Sequence, residues 1–296
     1  MDNLERLRVF HAVAQAQSFT AAAESLHLTQ SGVSKHIKAM EEELGVPLFD
    51  RLGKKVSLTQ AGEILHEAAR EVMDAVASAE QRIQELGGLS RGRLRVGASF
   101  PVGLYVLPRI LAAYRNEYPG IEVTLAISTT ASITAKVLDN KVDFGLVSAD
   151  VQHPKLLSFA FMTDELVVIV PPEHKWVNRR NIRAEELPGE TFIFAARGAG
   201  ARATVEDRLK AKGIALPNIL DFVNIEGVKH AVEAGLGVSA QPRVAIQREV
   251  DAGSLVALRL ADMDSEIQYV YICRKKQIPS SAQKVFVEML ADRVHA

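Results

Sequence analysis

Hydrophobic residues near the start of the chain recur every three or four positions, which is the spacing of an amphipathic helix. The pattern predicts a helix over residues 3 to 16 and, after Ser18 as an N-cap, a second helix over Phe19–Ser25. Alanines in the second helix allow another helix to approach it closely. The positions that set the first spacing are Leu4, Leu7, Phe10, Val13 and Ala14.

A third helix is predicted from Thr29 or Gln30 to Leu44, with Gly45 as a helix-terminating residue. One side would pack on its own domain, and it comprises Val33, Ile37, Met40 and Leu44. The other side carries short polar and basic groups. Two short helices with a tight turn between them are typical of a helix-turn-helix, whose second helix enters the DNA major groove. The alternative, the solvated face of an ordinary helix, stays open on this stretch alone.

The polar side chains of this third helix have the chemistry that DNA recognition needs. The amide of Gln30 suits a bidentate contact with adenine, and Ser34 suits a base edge or a phosphate. Lys35 would reach guanine acceptors or a phosphate, whereas Lys38 is placed for a phosphate. The predicted DNA-binding residues of this helix are Thr29, Gln30, Ser31, Ser34, Lys35 and Lys38.

Residues 51–59 predict a basic β-hairpin after the third helix. Gly53 permits a positive φ at the tip. Arg51, Lys54 and Lys55 would then lie along the phosphate backbone and supply the salt-dependent, sequence-independent part of the affinity. A hairpin in this place is a wing, although a solvated basic turn is the alternative for the segment taken alone.

A long stretch without proline, residues 61–89, predicts one continuous helix. Its hydrophobic positions step by threes and fours, close to a heptad seam, and small residues in the seam would let two copies approach closely. These positions are Leu65, Ala68, Val72, Ala75 or Val76, Ala79, Ile83 and Leu86. We expect this helix to form a homodimer; the alternative is a helix packed on its own domain. The stretch from Gly87 to Gly92 marks a hinge.

Residues 93–296 alternate predicted strands with predicted helices, which indicates a parallel sheet with helices on its faces. Two hydrophobic strands, at residues 157–162 and 166–171, suggest a chain that crosses between two lobes. A return crossing near Ile267–Arg274 would place the last helix on the first lobe.

Three segments follow predicted strands where α/β folds bind ligands, near helix N-termini. They are Ala98–Gly103, Ser128–Ser132 and Arg197–Arg202. Hydroxyls, free amides and an arginine that converge on a cleft suit a small anion or a carboxylate. Each segment has a plain alternative, because Ser and Thr at helix starts are commonly caps and glycines commonly relieve turns.

Composition narrows the class of protein. The formal net charge of -1 gives no global nucleic-acid signature, so DNA binding has to rest on local charge. The single cysteine, Cys273, excludes an intrachain disulfide, and no hydrophobic run is long enough to span a bilayer. Signal-peptide, catalytic and metal-ligand patterns are lacking, and no cofactor is implied. We therefore expect a cytoplasmic protein that is not an enzyme, holds no metal and has no membrane partner.

Five stretches of the N-terminal region resemble the LysR-type transcriptional regulators. They are Leu4–Gln15, Ser18–Leu26, Thr29–Lys38, Leu44–Arg51 and Leu58–Gly62. Farther along, Asp143–Val147 resembles the sensor strand of that family, and Val232–Val238 with Pro242 resembles its second-lobe signature. The resemblance covers essentially the whole chain. It departs at Ser31, where the family often has proline, so the base preference at that point stays open.

The resemblance implies an α+β multidomain fold. It comprises a winged helix-turn-helix over residues 1–60, a linker helix over 61–89 and a two-lobed, periplasmic-binding-protein-like α/β effector domain over 90–296. Lobe I would span about residues 90–162 and 268–296, and lobe II about 163–267. A homodimer or homotetramer is also implied, with RNA polymerase as a further partner. The implied effector-binding residues are Ser99, Phe100, Thr129, Thr130, Ser132, Gly200, Ala201 and Arg202.

Together, the residues and the resemblance predict a transcriptional regulator, activator or repressor. It would bind a partly palindromic operator in double-stranded DNA and respond to a small anion or organic acid held between its lobes. The alternative from another class is a cytoplasmic small-molecule-binding or enzymatic α/β domain with an N-terminal interaction module.

Overall fold

The computed structural model describes residues 2–50, 56–84, 92–148, 151–195 and 200–294. Contacts between residues divide the chain into two compact units, Met1–Ile83 and Gln84–Ala296. Each unit has its own hydrophobic core and is described by itself. Within the described ranges, no helix combines the length and the hydrophobicity that crossing a bilayer requires.

The first unit is a helical module with a short hairpin. Its helices are α1 (Asp2–Ala16), α2 (Phe19–Ser25), α3 (Gln30–Leu44) and α4 (Gln60–Gln84). Between α3 and α4, strands β1 (Phe49–Asp50) and β2 (Ser57–Leu58) pair antiparallel. Hydrophobic side chains from the helices and the hairpin meet in one core, where Phe10, Ile37 and Leu48 are fully buried.

Local sequence sets the helix boundaries of this unit. The Ser18 hydroxyl caps α2 by accepting a hydrogen bond from the Ala21 amide at 3.3 Å. The Thr29 hydroxyl caps α3 in the same way, with the Gly32 amide at 3.1 Å. Gly45 ends α3 in the left-handed conformation, at a φ of 71°. The predicted cap at Ser18, the helix-turn-helix and the helix stop at Gly45 are confirmed, and the structure adds the cap at Thr29.

The hydrophobic side of α3 is shorter than predicted. Val33, Ile37 and Met40 are buried against the core, but Leu44 is 51% exposed. The helix ends at this residue, so its last turn extends past the core that the three earlier side chains fill. The spacing of hydrophobic residues identified the correct face of the helix but not the point at which the face leaves the core.

The start of α4 is docked onto the segment before β1 by close backbone contacts. The Thr59 hydroxyl donates to the carbonyl oxygen of Pro47 at 2.7 Å and accepts from the Gly62 amide at 3.0 Å. A Cβ at Gly62 would lie 2.1 Å from the carbonyl oxygen of Leu48, far inside van der Waals contact. This close approach explains why a glycine stands at the end of the Leu58–Gly62 stretch.

The second unit alternates strands and helices. Its strands are β3 (Gly92–Ser99), β4 (Ile121–Ser128), β5 (Phe144–Ser148), β6 (Leu156–Val170), β7 (Asn181–Ile182), β8 (Phe192–Phe194), β9 (Ile219–Asp221), β10 (Ser239–Pro242), β11 (Val256–Leu260) and β12 (Glu266–Arg274). Its helices are α5 (Leu107–Glu117), α6 (Thr130–Leu138), α7 (Gly200–Ala211), α8 (Ile225–Glu233), α9 (Arg243–Ala252) and α10 (Ser281–Val294). A π-helical turn, Val102–Val106, precedes α5, and a 3-10 helix, Ala184–Gly189, precedes β8.

The larger sheet is mixed rather than parallel. Its strand order is β4-β3-β5-β12-β6-β11-β7, and β10 also pairs with β6. β3 is parallel to β4 and β5, as predicted, but β12 is antiparallel to β5 and β6, and β10 and β11 are antiparallel to β6. The expectation of a parallel sheet is therefore wrong for these pairs. Alternation of strands and helices along a chain does not determine the direction of a strand that pairs with strands far from it in sequence.

β6 runs through both halves of the second unit. The two strands predicted at residues 157–162 and 166–171 are one strand, whose first half pairs with β12 and whose second half pairs with β10 and β11. We name the part around β3, β4, β5 and β12 lobe I, and the part around β7 to β11 lobe II. One cluster of buried hydrophobic side chains, including Phe144 of lobe I and Phe192 of lobe II, continues from one lobe into the other.

Asp164 lies where β6 changes its partners. Its carboxylate accepts from the Tyr269 hydroxyl of β12 at 3.0 Å and from the Val244 amide at the start of α9 at 3.2 Å. The Glu165 amide donates to the same carboxylate at 2.8 Å. Burial raises the pKa of Asp164, and these hydrogen bonds oppose that rise. The carboxyl group ties the crossing strand to one element of each lobe.

Gly62→Ala should lower the free energy of unfolding by about 1–3 kcal/mol, because the added Cβ forces α4 away from the carbonyl of Leu48. Urea unfolding followed by circular dichroism measures the change. Gly189→Ala is the matched control, since a Cβ at Gly189 would meet no atom within 4 Å. Equal unfolding midpoints for the two variants would contradict a required close approach at Gly62.

Candidate DNA-reading helix and effector cleft

α3 presents the predicted polar side chains on the side opposite its buried residues. Gln30, Ser31, Lys35 and Lys38 are exposed, and Ser34 is half-buried. Because the hydrophobic side of the same helix is packed in the core, these side chains are held on a rigid support. A rigid helix with amide, hydroxyl and ammonium groups on one face has what a major-groove contact requires.

Contacts within α3 engage these polar groups only weakly. The Nε2 atom of Gln30 donates to the Ser34 hydroxyl at 3.2 Å. The ammonium of Lys38 lies 3.7 Å from Glu42, but both side chains are so exposed that the pair contributes little. A base edge or a phosphate could replace these contacts at little cost in free energy.

The first turn of α3 has a structural role as well. The hydroxyl of Thr29, which caps the helix, lies 3.2 Å from the hydroxyl of Ser31. Ser31 stands where LysR-type regulators often have proline, and here its hydroxyl joins the cap. Thr29 caps the helix and is itself exposed, so its contact with DNA stays a prediction. Gln30 and Lys35 have exposed side chains that take no part in the cap.

The predicted wing residues lie outside the described part of the chain: Arg51, Lys54 and Lys55. The strands on either side of them are described. Phe49 pairs with Leu58, and Asp50 pairs with Ser57. This antiparallel pairing brings together the two ends of the segment that leads from α3 towards α4.

α4 has two different surfaces along its length. Its first turns pack on the core of their own unit, where Ala69 is fully buried and Leu65 is partly buried. Farther along, hydrophobic side chains of the predicted seam are exposed, with Val72 at 41% and Ile83 at 66%. The first turns of α4 therefore pack on their own domain, and the later turns expose a hydrophobic seam.

A cleft opens between lobes I and II at the carboxyl ends of β3, β4 and β5. The cleft is narrow: the centre of a water-sized sphere can occupy only about 30 Å³ of it. From lobe I, hydroxyl groups line it: Ser99, Ser128, Thr129, Thr130 and Ser148. From lobe II, the principal lining residues are Phe194, Arg202, Asn224, Ile225 and Gln241. This is the place at which α/β folds bind small ligands.

Two of the predicted cleft residues hold the backbone of Ser148, the last residue of β5. The Ser99 hydroxyl accepts from the Ser148 amide at 3.2 Å, and the Thr130 hydroxyl donates to the Ser148 carbonyl oxygen at 2.9 Å. The Ser148 hydroxyl itself finds no partner among the described groups, although the residue is only 1% exposed. A buried hydroxyl without a partner costs about 1–3 kcal/mol, so this group is suited to bind a ligand.

Two helix N-termini meet the cleft from opposite lobes. Thr129 caps α6 by accepting from the Ser132 amide at 3.2 Å. Asn224 caps α8 by accepting from the Gly227 amide at 2.9 Å. Both capping residues line the cleft. The positive ends of the two helix dipoles and the remaining first-turn amides favour a negatively charged group between them.

Arg202 is matched by carboxylates within lobe II. Its Nε atom donates to Glu206 at 2.9 Å, and its Nη1 atom donates to Asp221 at 2.6 Å. Burial lowers the pKa of the guanidinium, but the two carboxylates outweigh burial and raise it above its usual value. The guanidinium also lies 4.7 Å from the ring centroid of Phe194. Its charge therefore organises the wall of the cleft more than it offers a countercharge to a ligand.

Most of the predicted effector-binding residues come together in the cleft. The lining includes Ser99, Phe100, Thr129, Thr130, Ala201 and Arg202. Ser132 lies in the first turn of α6 and is not part of the described lining. Gly200 begins α7, but its surroundings lie outside the described part of the chain.

Sequence reasoning missed three polar residues of the cleft, namely Ser148, Asn224 and Gln241. Ser148 ends a buried strand, so the rule that selected Ser99 would have selected it too. Asn224 is recognisable as the N-cap of a predicted helix. Gln241 is buried in β10 and donates to the Ser239 hydroxyl at 2.8 Å, and no local pattern marks it.

Two family models match the chain. Residues 4–63 match the bacterial regulatory helix-turn-helix protein of the lysR family, and residues 87–295 match the LysR substrate binding domain. The RuBisCO operon transcriptional regulator of Allochromatium vinosum is 33% identical over 296 residues, which cover 99% of this chain and 98% of that protein.

Solved structures share the fold. A full-length OxyR variant from Pseudomonas aeruginosa gives a TM-score of 0.74 at 24% identity, covering 99% of this chain and 94% of that one. Full-length CbnR in complex with its target DNA gives 0.63 at 23% identity, covering 98% and 99%. The CcmR regulatory domain of Synechocystis PCC6803 in complex with 2-PG gives 0.63 at 24% identity, covering 69% and 98%. The chain belongs to the LysR family of DNA-binding transcriptional regulators with an effector-binding domain, and not to a family of enzymes.

Proposed function

We propose that this LysR-family regulator is a cytoplasmic protein that binds a partly palindromic operator as a homodimer or as a homotetramer assembled from two dimers. A small anion bound in the cleft between lobes I and II would control it. The observation that carries the effector assignment is the Ser148 hydroxyl, which is buried at the cleft without a described partner while two helix N-termini meet the same space.

The chemistry of the cleft favours a compact anion with few charges. Hydroxyls, amides and helix starts supply donors, whereas Arg202 is the one charged side chain in the described lining and is already paired with Glu206 and Asp221. Donors of this kind bind one carboxylate or oxyanion well, but they do not balance several negative charges. The described donors therefore favour a compact anion, and Phe194 and Ile225 supply hydrophobic surface beside it.

Ligand binding would act by changing the populations of two lobe arrangements. An anion that contacts Ser148 in lobe I and the start of α8 in lobe II has more contacts when the lobes are close. It therefore shifts the equilibrium towards that arrangement by its differential affinity. This shift would change how the dimers bind the operator.

Ser148→Ala should raise the dissociation constant of the bound anion about tenfold, because the ligand loses a buried hydroxyl donor. Thermal-shift titrations of the full chain with sulfate, phosphate, acetate and 2-PG measure this, since a ligand of the native state raises its melting temperature. Ser132→Ala is the matched control, because Ser132 lies outside the described lining and should change affinity by less than about twofold. No shift with any anion on the unsubstituted protein would reject an anionic effector.

Gln30→Ala should reduce discrimination between the operator and random DNA by about 1–3 kcal/mol, because a bidentate base contact is lost. Competition gel shifts on the upstream intergenic region measure the ratio of the two affinities. Lys38→Ala provides the contrast, since a lost phosphate contact weakens both DNAs alike and reduces the salt dependence. An equal loss on both DNAs for Gln30→Ala would remove Gln30 from base recognition.

Ile83→Glu should convert the proposed dimer to a monomer, because it places a charge in the exposed hydrophobic seam of α4. Light scattering coupled to size-exclusion chromatography gives the mass directly. Ala77→Glu makes the same change on the opposite side of the helix and should leave the assembly intact. If Ile83→Glu and the unsubstituted chain have the same mass, the seam is not the dimer contact.

A further inference from the structure

We propose that Tyr105 is a positioning residue for the effector cleft, which holds the first turn of α8 in lobe II against lobe I. The inference rests on the proposed function only where it calls the cleft an effector site. Tyr105 belongs to lobe I and contacts lobe II beside the cleft, so it is not a group that touches the ligand.

The side chain of Tyr105 extends from lobe I, where its backbone has an uncommon π-helical conformation. It lies in the π-helical turn Val102–Val106, which follows the cleft residues Phe100 and Pro101. A Cβ added at Gly103 in this turn would lie 2.7 Å from the Ile127 side chain, so the turn is pressed closely against β4. Single π-helical turns are rare and occur frequently at functional sites.

The ring of Tyr105 packs in lobe II. It contacts the hydrophobic cluster that covers the second half of β6 and the inner sides of α8 and α9. The members of this cluster include Val167, Ile169, Ile225, Val228 and Ile246. The Tyr105 hydroxyl donates a hydrogen bond to the carboxylate of Glu226 in α8. One side chain of lobe I thus makes both a hydrophobic and a polar contact with lobe II.

Glu226 is held in turn by a buried lysine. The ammonium of Lys229 lies 2.9 Å from Glu226 and 2.7 Å from Glu249 of α9. The side chain of Lys229 is only 3% exposed, and its ammonium lies 5.0 Å from the ring centroid of Tyr105. A buried ammonium needs carboxylate partners, because removing one leaves an uncompensated charge. The bonds therefore form a continuous chain from lobe I through α8 to α9.

The protonation states support the direction of these bonds. Burial, followed by the bond to Glu226, raises the pKa of Tyr105, so its hydroxyl keeps its proton and acts as the donor. Burial would raise the pKa of Glu226, but the bonds from Tyr105 and Lys229 outweigh it and lower the pKa, so the acceptor is a carboxylate. Charge-assisted hydrogen bonds of this kind are among the stronger ones in proteins.

The contact is adjacent to the cleft in sequence and in space. Asn224 and Ile225 line the cleft, and Glu226 follows them directly in the first turn of α8. Holding Glu226 against Tyr105 therefore holds the capped start of α8 opposite the start of α6. Without the hydroxyl, α8 and the π-helical turn can separate, and the two helix N-termini no longer face a common ligand at a fixed distance.

Hydrogen–deuterium exchange of the full chain tests the contact without any ligand. Tyr105→Phe should speed exchange about tenfold or more in residues 102–106 of lobe I and 225–230 of lobe II, because a bond to a carboxylate is lost. Tyr118→Phe is the matched control, since the Tyr118 hydroxyl donates to the neighbouring Glu117 at 2.8 Å on the surface. That variant should exchange like the unsubstituted chain in both segments.

A conservative pair of variants separates positioning from simple packing. Glu226→Gln keeps an acceptor for the Tyr105 hydroxyl and should retain the protection of residues 102–106, whereas Glu226→Ala should lose it. Unchanged exchange in Tyr105→Phe would overturn the proposal. Loss of protection that extends through β5 and α10 would overturn it too, because Tyr105 would then be only a core side chain. Since no anion is present, a failure of the anion titrations does not affect this result.

Discussion

One strand has to serve both lobes, and the geometry of the cleft depends on it. β6 exchanges its partners at Asp164, whose carboxyl group binds an element of each lobe. Sliding the lobes apart would break the ladders that β6 forms with β12 on one side and with β10 and β11 on the other. The cleft lies between elements carried by the two halves of this strand. A rotation at the crossing would therefore change the distance between the starts of α6 and α8.

The polar side chains around the cleft divide into those that build it and those left available. The hydroxyls of Ser99 and Thr130 form hydrogen bonds with the backbone of Ser148, and the guanidinium of Arg202 donates to two carboxylates. Ser148 remains with an unengaged hydroxyl. From residue type alone, the arginine would be the first candidate to bind a ligand. The hydrogen-bond pattern instead makes Ser148 the first candidate, because a group that already has hydrogen-bond partners in the protein gains little from a ligand.

The sequence predicts features that depend on neighbouring residues, and it does not predict features that depend on residues far apart in the chain. The cap at Ser18, the start of α3 near Gln30 and the stop at Gly45 depend on neighbours within a few residues, and they were predicted correctly. The direction of β12 depends on pairing with strands more than a hundred residues earlier, and alternation along the chain could not reveal it. The availability of the Ser148 hydroxyl was equally hidden, because it follows from how Ser99 and Thr130 are used.

The contact at Gly62 has a consequence for the geometry of DNA recognition. Because no side chain separates α4 from the carbonyl of Leu48, the axis of this 25-residue helix is fixed relative to the module that carries α3. In the proposed dimer, α4 then works as a rigid arm of roughly 37 Å that determines the phase of one recognition helix against the other. Each added residue would turn the exposed seam by about 100° around the helix. In the proposed dimer, the spacing of the operator half-sites would therefore depend on a backbone contact that does not touch DNA.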